Sequence, residues 1–245
     1  MPVTFITCSG VDEKTDVVEL VRFLQANPRV EALVCVSEKN CFQGSPLFVW
    51  LKNLISVLQK KFLPLHLSLR LCSQWGQNFV RGHLPSELSE ILSAEYPDGG
   101  KIFYRLQPEF SIGCAKRVYV DKIVTLMRKM QDYHFVFPYS LENEMFIREM
   151  YGKKVSFDVL YDYEEKINEQ IMPALYFDCL CGYKYNLPSS EIGSELDEVI
   201  KVNNKNLPFY LEVDACLKDK KGGFSLNRAR SYVKAVEKWE SRQIW

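Results

Sequence analysis

The feature that most constrains the fold is an alternation, repeated about eight times, between short strand-like segments and amphipathic helical segments. The strand-like segments are rich in β-branched and aromatic residues, and helical periodicity separates most of them. Such alternation implies right-handed crossovers and a parallel sheet. The predicted strands are Val3–Ser9, Glu31–Ser37, Leu65–Cys72, Lys101–Gln107, His134–Tyr139, Val155–Asp162, Ala174–Cys181 and Pro208–Asp214. Eight such units in 245 residues predict an α/β fold, a TIM (β/α)8 barrel with residues 1–245 as a single domain.

The connection between the sixth and seventh predicted strands fits this pattern least well. Tyr163–Met172 is short and polar and ends at Pro173, a residue that is unfavourable inside a helix. We therefore expect an irregular sixth crossover. An open doubly wound sheet remains the alternative architecture.

Predicted helix starts support the alternation at three places. The first predicted helix runs from about Asp16, and Ser225 is the predicted cap of the last. Ser45 is followed by Pro46, a cap followed by proline at the first helical position. A third helix is predicted around Leu84–Leu92 and a fourth around Val120–Met130.

Charge and hydropathy exclude two classes of partner. Thirty-one basic and thirty-one acidic residues cancel, so the chain lacks the net positive charge of nucleic-acid-binding domains. No apolar run approaches the roughly 20 residues of a membrane helix, and the N-terminus lacks the features of a signal peptide. We expect a soluble, cytoplasmic protein with no nucleic-acid or membrane partner, and predict no particular oligomeric state.

The eight cysteines predict reduced structural thiols rather than disulfides or a metal site. Cys35, Cys72 and Cys179 lie inside predicted strands, where cysteine behaves as a small apolar residue. The closest pair, Cys179 and Cys181, has no histidine nearby to complete a zinc site. We therefore predict no metal and no cofactor.

Polar residues recur at every second position of several predicted strands, so they lie on one face of each strand. Barrel lumens, in contrast, are normally filled by branched apolar side chains. Residues two apart on a strand share a face, and sites in such barrels lie at the carboxyl ends of the strands. The candidate site residues are Cys8 and Ser9, Arg70, Arg105 with Gln107, Asp158 with Asp162, Asp178, and Glu212 with Asp214. The candidates therefore predict a site at the barrel mouth.

The charged candidates are also expected to pair with one another. An unpaired charge in a dry lumen costs several kcal/mol, so we expect Arg70 and Arg105 to meet the carboxylates of strands 6 and 8. A satisfied ion-pair plug without function is the alternative interpretation. His66 and His134 begin their strands, far from the expected site, and are interpreted as structural.

Several short segments resemble phosphoribosylanthranilate isomerase. Ile6-Thr7-Cys8-Ser9-Gly10 is similar to that family's first strand, Asp162 falls where the family has its sixth-strand aspartate, and Val213-Asp214-Ala215-Cys216 with Gly222-Gly223 is similar to its eighth-strand end. Related bacterial barrels have segments like Leu69–Ser73, Arg105–Gln107 and Cys181–Tyr183. The resemblance implies a TIM barrel in which Asp162 protonates a ring oxygen and Cys8 removes the neighbouring carbon-bound proton. Such a cysteine must be largely thiolate, which requires a nearby cation, and we expect Arg70 or Arg105 to supply it.

The resemblance also implies a phosphate site on glycine-rich loops after strands 7 and 8. Here Gly182 is followed by bulky residues through Leu187, and glutamates follow Asp162. After strand 8, Lys220-Lys221-Gly222-Gly223 retains the glycines. Gly182, Gly222 and Gly223 are predicted substrate-binding positions, of which Gly222 and Gly223 could still hold a phosphate, and the loss of the other glycines argues against the family's own reaction.

Three functions follow as expectations. The first is an isomerase or lyase acting on a small phosphorylated or sugar-like metabolite, with Asp162, Cys8 and Asp214 as catalytic residues. The second is an inactive barrel that binds a protein partner through an exposed loop, Tyr183–Tyr185. The third, ranked below both, is a barrel that uses the carboxylates of strands 6 and 8 to bind a hard ion such as Mg²⁺.

Overall fold

Eight parallel strands close into a barrel in sequence order in this computed structural model, which describes residues 3–61, 63–110, 119–140, 142–162, 180–202 and 207–243. Each strand is hydrogen-bonded to the next, and the eighth pairs with the first. The strands are β1 Val3–Val11, β2 Val30–Val36, β3 His66–Leu71, β4 Arg105–Pro108, β5 His134–Tyr139, β6 Asp158–Asp162, β7 Cys181–Tyr185 and β8 Phe209–Val213. The predicted TIM barrel is confirmed, and the open doubly wound sheet is excluded.

Helices follow the strands on the outside of the barrel. They are α1 Val17–Ala26, α2 Pro46–Lys61, α3 Ser73–Phe79, α4 Ser89–Leu92, α5 Val120–Lys129, α6 Glu144–Gly152, α7 Ile192–Val202 and α8 Leu226–Glu240. The predicted irregular sixth crossover and Asp178 fall within residues 163–179, outside the described residues. Within the described residues, every helix is too short or too polar to traverse a lipid bilayer.

The predicted helix starts are confirmed. The Asp16 carboxylate accepts the backbone N–H of Glu19 at 2.9 Å, and the Ser225 hydroxyl accepts that of Arg228 at 3.4 Å. α2 begins at Pro46, directly after Ser45. Local capping chemistry therefore sets these boundaries.

Several predicted boundaries are wrong. The predicted third helix is a 3₁₀ turn, Ser86–Leu88, followed by the single turn of α4. β4 begins at Arg105 rather than Lys101, and β6 begins at Asp158 rather than Val155. β7 begins at Cys181, where the predicted seventh strand ends. These shifts decide where each polar side chain lies along the barrel axis.

Apolar side chains pack in two separate regions. The larger lies between the strands and the surrounding helices. The smaller fills part of the lumen and consists of Val136, Leu160 and Tyr210 with Phe5 and Leu180 packed against them. The lumen therefore has a small apolar middle, with polar residues at both of its ends.

Candidate functional site

The carboxyl ends of the strands bring charged side chains from three neighbouring strands together. We call this set the mouth cluster, and its members are Asp162 on β6, Lys184 on β7, Glu212 and Asp214 at the end of β8, and Arg70 on β3 across the lumen. The register pairs Asp162 with Lys184 and Lys184 with Glu212. Gln107, the register partner of Arg70, is buried at the same level.

Arg70 is the centre of the mouth cluster. Its guanidinium contacts Glu212 and donates to the Asp214 carboxylate at 3.0 Å. Ser9 donates to the same carboxylate at 3.3 Å, and the Lys218 ammonium lies 3.8 Å from its other oxygen. The expected pairing of Arg70 with carboxylates of strand 8 is thus confirmed.

The pKa values of the two strand-8 carboxyls are shifted in opposite directions. Burial raises the pKa of Glu212, although Arg70 opposes that effect. Burial acts in the same direction on Asp214, but the charge of Arg70 and its hydrogen bond outweigh it, so the pKa of Asp214 is lowered. Asp214 is therefore an ionised, half-buried carboxylate at the barrel mouth at neutral pH.

A second ion pair lies beside this carboxylate. The Lys184 ammonium donates to Asp162 at 2.8 Å, and the Asp162 side chain keeps about a third of its surface exposed, 34%. Burial opposes the charge on Lys184, but Asp162 more than compensates, and the pKa of Lys184 is raised. A cation and two carboxylates thus face the open end of the barrel.

Two cysteines complete this end of the lumen. Cys35 is the register partner of Arg70 on the neighbouring strand, and its thiol lies beside that of Cys72, which donates to the Arg70 carbonyl at 3.7 Å. The neighbouring Cys72 thiol, with smaller effects from Arg70 and Ser9, lowers the pKa of Cys35 to about 7 against the opposing effects of burial and Asp214.

Arg105 and Asp158 are not at the mouth, contrary to the sequence prediction. Each is the first residue of its strand and therefore lies toward the amino end of the barrel. Arg105 donates to Glu31 at 2.6 Å and to Asp158 at 3.4 Å, and His134 lies 2.8 Å from the same Asp158 oxygen. The expected pairing of Arg105 with strand 6 is confirmed. We call these four residues the floor cluster.

The floor cluster closes the lumen from below. The Arg105 guanidinium carbon lies 4.6 Å from the centre of the Phe5 ring and 4.5 Å from that of Tyr210, distances at which cation–π attraction contributes. Arg105, Glu31 and Asp158 are all buried. The floor cluster therefore fits the alternative interpretation given above, a set of paired charges with a structural role. It lies at the end of the barrel opposite the mouth.

Cys8 does not face the lumen, so its predicted role as a catalytic base is wrong. Its neighbours Thr7 and Ser9 contact Glu31 and Asp214 inside the barrel, and strand alternation points Cys8 the other way. Its side chain is buried in the large apolar core. Burial raises the pKa of the Cys8 thiol to about 12, and this keeps the thiol protonated at neutral pH.

Gly182 is not part of a phosphate loop, because it lies inside β7. A Cβ atom at this position would lie 2.1 Å from Cζ of Tyr210. Glycine is needed here so that the buried Tyr210 ring can cross the lumen. The predicted substrate role of Gly182 is therefore replaced by a packing role.

Gly222 and Gly223 lie in a turn, as predicted, but the backbone N–H groups of this turn are not free to bind an anion. The Asp219 carboxylate accepts the backbone N–H groups of Lys221 at 2.7 Å and Gly223 at 3.1 Å. The Gly222 N–H donates to the Asp219 carbonyl at 3.0 Å. The backbone donors that would hold a phosphate thus already bind an oxygen of Asp219.

Glu31 and Cys35 are lumen residues that were not predicted from the sequence. They share one parity of β2 with Leu33, and Glu31 is a charged residue inside an otherwise apolar strand. That isolated charge was the available signal, because a buried glutamate requires a partner.

Comparisons with known proteins support the architecture. No protein-family model matches the sequence, and no curated protein matches it. Among solved structures, phosphoribosylanthranilate isomerase from Thermococcus kodakaraensis aligns over 96% of this chain and 99% of its own, with a TM-score of 0.53 and 12% identity. The enzyme from Pyrococcus furiosus also aligns over 96% of this chain and 99% of its own, with a TM-score of 0.51 and 12% identity.

A monomeric form of the Thermotoga maritima enzyme gives a similar result, with a TM-score of 0.52 at 11% identity. The chain is thus a divergent barrel that resembles phosphoribosylanthranilate isomerase in fold. At this identity, the likeness concerns the fold alone.

Proposed function

We propose that this protein is an isomerase-type enzyme that moves a proton on a small sugar-like metabolite bound in the mouth cluster. The observation that carries the proposal is the Asp214 carboxylate, which is ionised and half-buried at the carboxyl end of β8. Active sites of TIM barrels lie at this end. A positioned carboxylate of this kind is suited to accept a carbon-bound proton.

The neighbouring strands supply the complementary groups. Lys184 retains its charge and is oriented by Asp162. A fixed ammonium group of this kind stabilises negative charge that develops on a carbonyl oxygen. β6 and β8 lie two strand spacings apart, roughly 10 Å along the barrel wall. That separation accommodates a small sugar between Asp162 and Asp214.

The charges favour an unphosphorylated ligand. In the described part of the mouth, Arg70 and Lys184 each contact a carboxylate, and the Gly222–Gly223 amides are used within their own turn. Alternating carboxylates and cations suit the hydroxyl and carbonyl groups of a sugar, which both donate and accept hydrogen bonds.

The alternative of a protein-interaction module keeps only one of its two supports, the loss of the phosphate-binding glycines. The other was an exposed Tyr183–Tyr185 loop, but Tyr183 and Tyr185 are buried residues of β7. The Mg²⁺ alternative is not favoured either. Within the described residues, no three histidine, cysteine or acidic side chains are grouped as metal ligands.

A thermal-shift screen of simple sugars and their phosphates tests the proposal. A ligand at 100 times its dissociation constant adds about 2.7 kcal/mol, which corresponds to about 5–10 °C for a chain of this size. We expect such a shift from an unphosphorylated sugar with the wild-type protein. We expect Asp214→Asn and Lys184→Met to abolish the shift.

Lys220→Gln is the matched control, because Lys220 belongs to the Gly222–Gly223 turn and not to the mouth cluster. It should leave the shift unchanged. If only phosphorylated sugars stabilise the protein and Lys220→Gln removes their effect, the ligand binds the turn and the proposal is wrong.

A further inference from the structure

Cys35 and Cys72 form a thiol pair at the mouth of the barrel. Cys35 is the sixth residue of β2, and Cys72 follows the last residue of β3, the neighbouring strand. The register partner of Cys35 is Arg70, two residues before Cys72, so both cysteines share the lumen side. The two thiols interact with each other, the Cys72 thiol donates to the Arg70 carbonyl at 3.7 Å, and both side chains are partly accessible to solvent.

The two thiols have opposite surroundings. Cys35 lies beside the Arg70 guanidinium and within hydrogen-bond distance of the Ser9 hydroxyl, with Asp214 as the opposing charge. The Nε of Arg70 is buried and has no partner among the described residues. Cys72 instead lies beside the carboxylate of Glu109. These contacts favour a thiolate at Cys35 and a protonated thiol at Cys72.

The backbone beside the pair is strained. Ser73, directly after Cys72, has a φ of +55°, a conformation that costs a non-glycine residue about 1–3 kcal/mol. Such outliers concentrate at functional sites.

Two of the other described cysteines provide the contrast. Cys8 and Cys41 are buried in the apolar core, and burial raises the pKa of each thiol, to about 12 and about 11. They fit the structural role predicted from the sequence. Cys35 and Cys72 do not, because they lie among charged groups.

We propose that Cys35 and Cys72 are a redox-active dithiol that small hydroperoxides oxidise to an intramolecular disulfide. The proposal does not depend on the isomerase function. It assigns to the barrel mouth a second chemistry, carried by sulfur rather than by carboxylates.

The reaction has two steps. The Cys35 thiolate attacks the terminal peroxide oxygen, an S–O bond forms, the O–O bond breaks, and the departing alkoxide or hydroxide takes up a proton from water. The Cys72 sulfur then attacks the sulfur of the resulting sulfenic acid, and an S–S bond forms as the S–O bond breaks. The departing hydroxide takes up the proton of the Cys72 thiol and leaves as water. Two thiols are oxidised, and the peroxide is reduced to an alcohol, or to water in the case of hydrogen peroxide.

Alkylation of the native full-length chain tests the first half of the proposal. Peptide mass spectrometry after brief iodoacetamide treatment should show Cys35 labelling that is half-maximal near pH 7. At pH 7 its rate should exceed that of an ordinary exposed thiol about fivefold, since the gain in thiolate fraction outweighs the loss of intrinsic nucleophilicity. Labelling of Cys35 that rises only near pH 9 would overturn the proposal.

Oxidation tests the second half. One equivalent of hydrogen peroxide should give a species about 2 Da lighter, the loss of two hydrogens in disulfide formation. Its Cys35 and Cys72 peptides should be joined, and dithiothreitol should separate them. Cys72→Ser should instead stop at a sulfenic acid on Cys35 that dimedone traps, whereas Cys41→Ser should behave as the wild type. A disulfide from Cys35 to Cys114 or Cys179, or an unchanged product in Cys72→Ser, would show that Cys72 is not the partner.

Discussion

At the scale of single residues, the direction in which a side chain points decides its chemistry. Cys8 and Cys35 lie on neighbouring strands of the same barrel. The thiol of Cys8 points to the apolar core, where burial raises its pKa to about 12. The thiol of Cys35 points to the lumen, where Cys72 and Arg70 lower its pKa to about 7. One step of strand alternation therefore separates an inert cysteine from a reactive one.

Arg105→Met tests the floor cluster at the same scale. The substitution leaves Glu31 and Asp158 buried without their arginine, and breaking a buried pair in this way costs about 3–5 kcal/mol. Because Glu31 is then an uncompensated charge, Arg105→Met/Glu31→Gln should recover part of the loss. Urea unfolding measures both free energies. Arg22→Met, which removes only a surface pair with Glu19, should cost less than about 1 kcal/mol.

At the scale of secondary-structure elements, β7 shows how a strand is built around one glycine. Tyr183 and Tyr185 point outward into the apolar core, whereas Gly182 and Lys184 point inward. The absence of a side chain at Gly182 leaves room for Tyr210 of the adjacent β8. β7 thus positions Lys184 in the mouth cluster and makes space for the aromatic middle of the lumen.

Gly182→Ala should therefore destabilise the protein by about 1–3 kcal/mol, the usual cost of overpacking a filled core. Gly193→Ala is the control, because its new Cβ would lie 3.7 Å from the Trp239 ring, an ordinary contact, within helix α7. Alanine favours a helix over glycine, so Gly193→Ala should be neutral or stabilising. Equal losses in the two variants, measured by thermal or urea unfolding, would contradict the packing role of Gly182.

At the scale of the whole molecule, the lumen consists of two charged ends with a small apolar region between them. Glu31, Arg105 and Asp158 of the floor cluster are buried and paired with each other, whereas the mouth cluster retains partly exposed carboxylates at Asp162 and Asp214. This difference assigns stability to one end of the barrel and the proposed chemistry to the other, which is the usual division in TIM barrels.

The pH dependence of global stability should reflect this arrangement. The pKa of Asp214 is lower in the folded protein than its ordinary value of 3.8, because Arg70 outweighs burial. The ionised Asp214 carboxylate therefore stabilises the folded protein fully when the pH is above its unfolded-state pKa. This contribution is lost as the pH falls through the lower pKa that Asp214 has in the folded protein. Urea unfolding at a series of pH values should show a smaller loss below pH 4 for Asp214→Asn than for the wild type. Parallel curves would contradict the assigned ionisation of Asp214.

Much of the fold and part of the site could be predicted from the sequence. The helix starts at Asp16 and Ser225 depend on local contacts and were predicted correctly. The alternate polar positions of β3 and β8 also correctly predicted the pairing of Arg70 with Glu212 and Asp214. Strand starts were predicted less well. β7 was placed too early because the bulky, lysine-containing sequence after Gly182 was interpreted as a loop.

The amino-acid sequence by itself determined the eightfold alternation and the parity of the polar residues, because both depend on neighbours within a few positions along the chain. Only the tertiary structure decided that Arg105 lies at the floor, that Cys8 faces the core, and that Asp219 occupies the turn at Gly223. The level of a residue along the barrel axis depends on the register between strands far apart in sequence. Each residue of shift moves a side chain by about 3.3 Å and turns it to the opposite face.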